Sequence, residues 1–165
     1  MKAESTISYF KERYEEENNR FNHIESKCAV ILRFLSILIG VIAAIASTNK
    51  GMFSPVSIVQ FNILVLYLMG TIFIVLSWGH SLYSLKIANC PVMPKNRKTL
   101  EYLIATKQEQ AEKHILNCYI DTLEKLGNVI SDKAKYLRYS YNELAFAAIL
   151  FLFAGTITVI LEVTK

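Results

Sequence analysis

The chain is poor in residues that end helices. Only three prolines and six glycines occur in 165 residues, and none of the prolines follows Pro94. From Thr99 onward only Gly127 and Gly155 interrupt good helix formers, which predicts one continuous helix to the end of the chain. Cysteine is equally sparse. Cys28, Cys90 and Cys118 match no zinc spacing, and His23, His80 and His114 are too scattered to complete one. Free thiols are therefore expected, with no metal site and no cofactor. No strand-like alternation, glycine-rich phosphate loop, nucleophile elbow or paired acidic motif is present either. The expectation is a chain without catalytic residues, not an enzyme.

The most informative scarcity is of charge. Apolar residues make up 53% of the chain and are gathered in three blocks. Residues 28–47 contain one charge, Arg33, close enough to the start to snorkel; residues 61–79 contain none; residues 144–161 are bounded by Glu143 and Glu162. Each block reaches or nearly reaches the roughly 18 to 20 apolar residues a helix needs to cross hydrocarbon. The first block follows 27 Glu-rich residues without a short basic lead, unlike a secretory signal. An all-α membrane protein with three transmembrane helices is predicted.

Lys and Arg set the orientation. Five precede the first block and ten lie between the second and third, whereas the connection after the first block carries only Lys50 and the tail only Lys165. Cationic loops stay cytoplasmic, so the amino terminus should be cytoplasmic and the carboxyl terminus outside. As a single domain of 165 residues, the chain divides into a stem (1–27), a first span (28–47), an outer hairpin (48–60) and a second span (61–79). The second helix should begin at Pro55, behind Ser54, and continue to about residue 88, where "NCPVMPKNRKT" breaks it. A cytoplasmic turn and stem (89–140) and a third span (141–162) complete the chain.

Seven-residue spacing crosses the expected membrane boundary twice. Tyr14, Phe21, Cys28, Leu35 and Ile42 form one row. Leu116, Leu123, Ile130, Leu137, Leu144 and Phe151 form another, flanked by a mostly small row of Ile120, Gly127, Ala134, Tyr141, Ala148 and Gly155. The first and third membrane helices are therefore expected to extend into a cytoplasmic helical stem bundle.

Two candidate sites follow. On the second helix Ile63, Tyr67, Gly70, Ile74, Ser77 and Ser81 share a stripe with Gln60 and Ser84. Such a stripe can line water, with the isoleucines as constrictions, or form a close-packed helix interface. A water path would need several copies of the chain arranged in a ring, because three spans are too few to enclose it. In the inner turn Lys95, Arg97 and Lys98 cluster with Tyr102, and Lys107 follows. Cations beside an aromatic ring can hold phosphates and stack a base, and they can equally serve the positive-inside rule and attract anionic lipid.

With "IESKCAVILRFL" leading into the first span, a Pro-rich turn after the second and "ISDKAKYL" before the third, the layout resembles small bacterial membrane effectors of nucleotide-signalling anti-phage systems, the Pycsar, CBASS and Hailong effectors. The resemblance implies a homo-oligomer, a tetramer favoured, in the bacterial inner membrane. It further implies gating by a nucleotide or oligonucleotide from a partner nucleotidyltransferase, with Lys95, Arg97 and Lys98 holding the messenger and the stripe from Tyr67 to Ser84 forming the ion path. Opening would depolarise the membrane in abortive infection.

Overall fold

The computed structural model describes residues 2–48, 55–87, 89–94 and 96–163, the backbone alone for 2–4 and 162. Among these the regular elements are all helical: α1 (Lys2–Thr48), α2 (Ile58–Lys86), α3 (Arg97–Ala105) and α4 (Gln108–Val163). The fold is an all-α membrane protein, since α1, α2 and α4 each contain a stretch long and apolar enough to cross a bilayer. α1 and α4 are single helices of 47 and 56 residues, without a break where polar sequence gives way to apolar.

Two helix limits differ from the sequence expectation, the start of α2 and the run after Thr99. α2 starts at Ile58 rather than Pro55, because Ser57 and Gln60 cap it reciprocally. The Gln60 N–H donates to Ser57 Oγ at 3.3 Å, while Gln60 Oε1 accepts from the N–H groups of Ser57 and Val56 at 3.3 and 2.8 Å. Ser54 lies outside the described residues. α2 ends at Lys86, and Ala88, where its end was expected, also lies outside them. Finally, the helix predicted to run unbroken after Thr99 is divided. Thr106 is extended, with φ −101° and ψ 151°, and its hydroxyl donates to the Tyr102 carbonyl at 2.6 Å. The Lys107 carbonyl then starts α4 by accepting from the Gln110 and Ala111 N–H groups at 3.0 Å.

The chain forms two compact units, Met1–Ser26 with Ile87–Lys133, and Lys27–Lys86 with Ala134–Lys165. In the first, the polar unit, α1 and α4 run parallel. Tyr14 meets the Tyr119 ring edge-on, and Phe21, Leu126 and Ile130 form a small core sealed by Tyr14, Ile24, Cys90 and Val129. Residues 89–94 strap this core to α1: the Cys90 thiol lies 3.2 Å from Asn18 Oδ1, and Tyr14 donates to the Pro91 carbonyl at 3.4 Å. In the second, the membrane unit, α2 runs antiparallel to α1 and α4. Phe73 faces Phe146 and Tyr67 faces Phe151.

α4 has a second buried row, distinct from the small row. Leu126, Lys133, Ser140, Ala147 and Ala154, seven residues apart, are buried, whereas Ile120, Gly127, Tyr141 and Ala148 are exposed. The row can hold two polar members because both find partners inside the fold.

Candidate functional site

The α2 stripe is the tightest seam of the membrane unit. Ile63, Gly70, Ile74, Ser77, Ser81 and Ser84 are buried, and Tyr67 is half-buried. Gly70 lets the Phe151 ring approach closely: a Cβ there would lie 3.0 Å from it, and the ring would have to shift slightly. One turn past Ile74 the contacts become polar. Ser77 Oγ donates to the Ser140 carbonyl at 2.8 Å, Ser140 Oγ donates back to the Ser77 carbonyl at 2.9 Å, and Ser81 Oγ lies 2.7 Å from Ser140 Oγ.

In one arrangement Ser77 and Ser140 donate to carbonyls and Ser81 donates to Ser140 Oγ; the 2.9 Å contact between Ser77 Oγ and Ser140 Oγ allows others, and in each the three hydroxyls are partnered. Small hydroxyl residues thus let α2 and α4 approach closely while satisfying one another. Ser84 extends the seam to α1, with its oxygen 3.2 Å from the buried Cys28 thiol, and Trp78 donates to Ser36 Oγ at 3.1 Å. In the single chain the stripe is a packed helix interface.

At the polar end of the seam His80 Nδ1 lies 2.7 Å from Glu143 Oε2. The His80 ring also neighbours Tyr136 and Tyr139, and Tyr136 packs edge-on against Tyr83 at 4.6 Å. This polar-aromatic cluster was not anticipated. Its signal was available in Tyr136 and Tyr139, seven and four residues before Glu143, opposite an α2 that carries His80 and Tyr83.

The polar unit holds a second unanticipated group. The Lys133 ammonium is 1% exposed, 3.0 Å from Glu25 Oε1 and 4.7 Å from the centre of the Phe21 ring. Close by, burial pushes the Cys90 thiol above its ordinary value, aided by Glu25 and opposed by Lys133. Burial likewise raises the Tyr14 phenol, with Cys90 and Tyr119 adding to the effect.

The basic cluster lies on α3 and the link that follows it. Arg97, Lys98, Tyr102 and Lys107 are all exposed, and Lys95 lies outside the described residues. Arg97 pairs with Glu101 at 3.0 Å along the helix, and Tyr102 contacts the His114 ring edge-on at 5.0 Å. Asn96 caps α3 by accepting from the Thr99 N–H at 3.0 Å. Tyr102 is thus exposed on the same short segment as three exposed cations.

Comparison of the chain with protein-family models, with curated proteins and with solved structures gives no match.

Proposed function

We propose that the protein is a homo-oligomeric membrane effector, a tetramer favoured, that conducts ions across a bacterial inner membrane under control of a cytosolic nucleotide or oligonucleotide. The partner is a nucleotidyltransferase that makes the messenger, and the outcome is depolarisation in anti-phage defence. The observation that carries this reading is the continuity of α1 and α4, each one hydrogen-bonded rod from charged sequence into apolar sequence. With no loop between the charged and apolar stretches of either helix, a change in stem packing is passed along the same helix to its span.

In this reading the amino terminus is cytoplasmic, following the Lys and Arg distribution. Lys95, Arg97, Lys98 and Lys107 attract the messenger phosphates, and Tyr102 stacks a base. Assembly draws on apolar surface outside the spans: Leu100 and Ile104, four apart on α3, are 58% and 77% exposed. The seam of Ser77, Ser81 and Ser140 is the closed state. Opening parts α2 from α4 and turns Gly70, Ser77 and Ser81 toward water, with Ile63 and Ile74 as the apolar constrictions. The messenger can drive this only by binding one of the two arrangements more tightly.

Planar-bilayer recordings of the purified protein, with and without cyclic and linear oligonucleotides, test the reading. Nucleotide-dependent conductance is expected, and silence under every condition ends it. One observation favours a second reading, a non-conducting scaffold whose stem docks a cytoplasmic partner: the seam hydroxyls of Ser77, Ser81 and Ser140 are already paired within one chain. A silent bilayer together with a partner cross-linked through the polar unit would favour it.

A further inference from the structure

The charges of the membrane unit stop at one level. Arg33 is the last charged residue of α1 before Thr48, His80 is the first basic or acidic side chain of α2, and Glu143 is the last charged residue of α4 up to Leu161. Contacts between the helices bring the three side by side. Cys28 meets Ser84 and Ser36 meets Trp78, so Arg33, between Cys28 and Ser36 on α1, is level with His80 to within about one 1.5 Å rise. On the other side Ser77 and Ser81 both meet Ser140, and His80 reaches Glu143 at 2.7 Å.

Rings with polar tips gather at the same level. Trp78, the chain's only tryptophan, and Tyr83 on α2, with Tyr136, Tyr139 and Tyr141 on α4, lie within about 6 Å of His80 and Ser140 along the helix axes. Tyr83, Tyr139 and Tyr141 are exposed, and of the described tyrosines of the unit only Tyr67 lies deeper, against Phe151. Toward the apolar ends of the helices the outward-facing side chains are hydrocarbon, among them Ile37, Ile72 and Leu152. A tyrosine or tryptophan at such an edge has its ring against acyl chain and its polar tip in water, which is the environment of the headgroup layer.

We propose that the level of Arg33, His80 and Glu143 is the surface on which the membrane unit meets the lipid headgroups, so that α1 enters hydrocarbon at Phe34, six residues or about 9 Å past Cys28. The limits expected for the second and third spans, residues 79 and 141, already fall at this level, and only the limit expected for the first, residue 28, lies off it. Val30, 60% exposed, then stands among headgroups, and Arg33 meets phosphate without reaching up from inside. The residues from Phe34 to Thr48 extend about 22 Å against roughly 30 Å of hydrocarbon, so the bilayer thins beside α1. The proposal rests on α1, α2 and α4 being spans and does not depend on conduction.

Trp78 is a native depth probe, read in the full chain reconstituted into vesicles of phosphatidylcholine and phosphatidylglycerol. Its emission should be lost more to lipid brominated just below the headgroup than to lipid brominated at mid-chain. Entry of α1 at Cys28, which is level with Ser84, would put Trp78 about 9 Å into hydrocarbon and reverse that order. In a Trp78→Phe background, Val30→Trp and Ile37→Trp place the probe at exposed positions on either side of Arg33. The first should lose most emission to aqueous iodide and the second to mid-chain bromine. Greater loss of Trp78 emission to mid-chain bromine, or greater loss from Val30→Trp to either brominated lipid than to iodide, would overturn the proposal. Loss to neither brominated lipid by Trp78 and by Ile37→Trp would remove the spans themselves, and the proposal with them.

Discussion

Lys133 Nζ and Glu25 Oε1 lie 3.0 Å apart, joining α4 to α1 with the ammonium 1% exposed over the face of Phe21. The carboxylate is less enclosed, at 40% exposure. Glu25→Gln should therefore destabilise the polar unit, by less than the 3 to 5 kcal/mol typical of breaking a fully buried pair, so about 2 kcal/mol, since water reaches that side. Lys133→Met keeps the stem's length and apolar contacts, removes the desolvation cost and should be nearly neutral or stabilising. Thermal unfolding followed by circular dichroism separates the two. A larger loss for Lys133→Met than for Glu25→Gln would mean that the ammonium does more than answer Glu25.

The polar unit should also weaken in alkali. Cys90 and Tyr14 have folded values raised above 9.0 and 10.0, burial being the first cause in both. Between the ordinary and the raised value the folded chain keeps a proton that the unfolded chain releases, so unfolding becomes easier as pH rises. Stability should be flat from pH 6 to 8 and fall above about pH 9. Cys90→Ser should remove the earlier part of that fall, leaving the part due to Tyr14. Denaturant midpoints across pH measure it, and a midpoint that rises above pH 9 would contradict the burial of these groups.

Much of this architecture was legible because a membrane simplifies the code. The three spans announce themselves by charge exclusion, and the row from Tyr14 through Leu35 is the face that α1 packs inward. The second buried row of α4 is not legible from apolar spacing, because Lys133 and Ser140 belong to it. Neither violates burial once Glu25, Phe21, Ser77 and Ser81 supply partners, and those partners are 59 or more positions away in the chain. The break at Thr106 is local: its hydroxyl bonds back to the Tyr102 carbonyl at the end of α3, and Glu109 falls in the first turn of α4. The absence of proline carried too much weight there. On α2 the stripe was identified as one face, but whether a polar face meets water or another helix depends on the facing surface, which sequence does not supply.

The contact of Gly70 with Phe151 predicts non-additive packing. A methyl at residue 70 would sit 3.0 Å from Phe151 Cε2 and Cζ, and a ring tip is the part of a side chain most able to move. Gly70→Ala should be close to neutral, the helix propensity gained being offset by displacement of the ring. Gly70→Leu should cost about 1 to 3 kcal/mol through overpacking. In a Phe151→Leu background Gly70→Ala should become stabilising by about 0.5 to 1 kcal/mol. A double-mutant cycle on unfolding in detergent measures the coupling, and additivity within about 0.3 kcal/mol would place the ring away from residue 70.

The three-serine network connects stability to the proposed opening. Ser140→Ala removes the hydroxyl partner of Ser81 and the contact with the Ser77 carbonyl, leaving the Ser77-to-carbonyl bond in place. Hydrogen bonds between membrane helices average about 0.6 kcal/mol and reach about 1.7 kcal/mol, so the two lost contacts should cost about 1 to 2 kcal/mol. If parting α2 from α4 opens a path, that energy comes off the closed state alone, because the open arrangement gives Ser81 water in its place. The closed-to-open ratio should then fall by about five- to thirtyfold, and Ser140→Ala should leak without any nucleotide. Ser77→Ala, which removes one donor from the same seam and leaves the Ser81-to-Ser140 bond, should leak less. Ion flux from vesicles reads both. A variant destabilised by the expected amount yet as tight as the unaltered protein would separate the seam from the gate and leave it a purely structural joint.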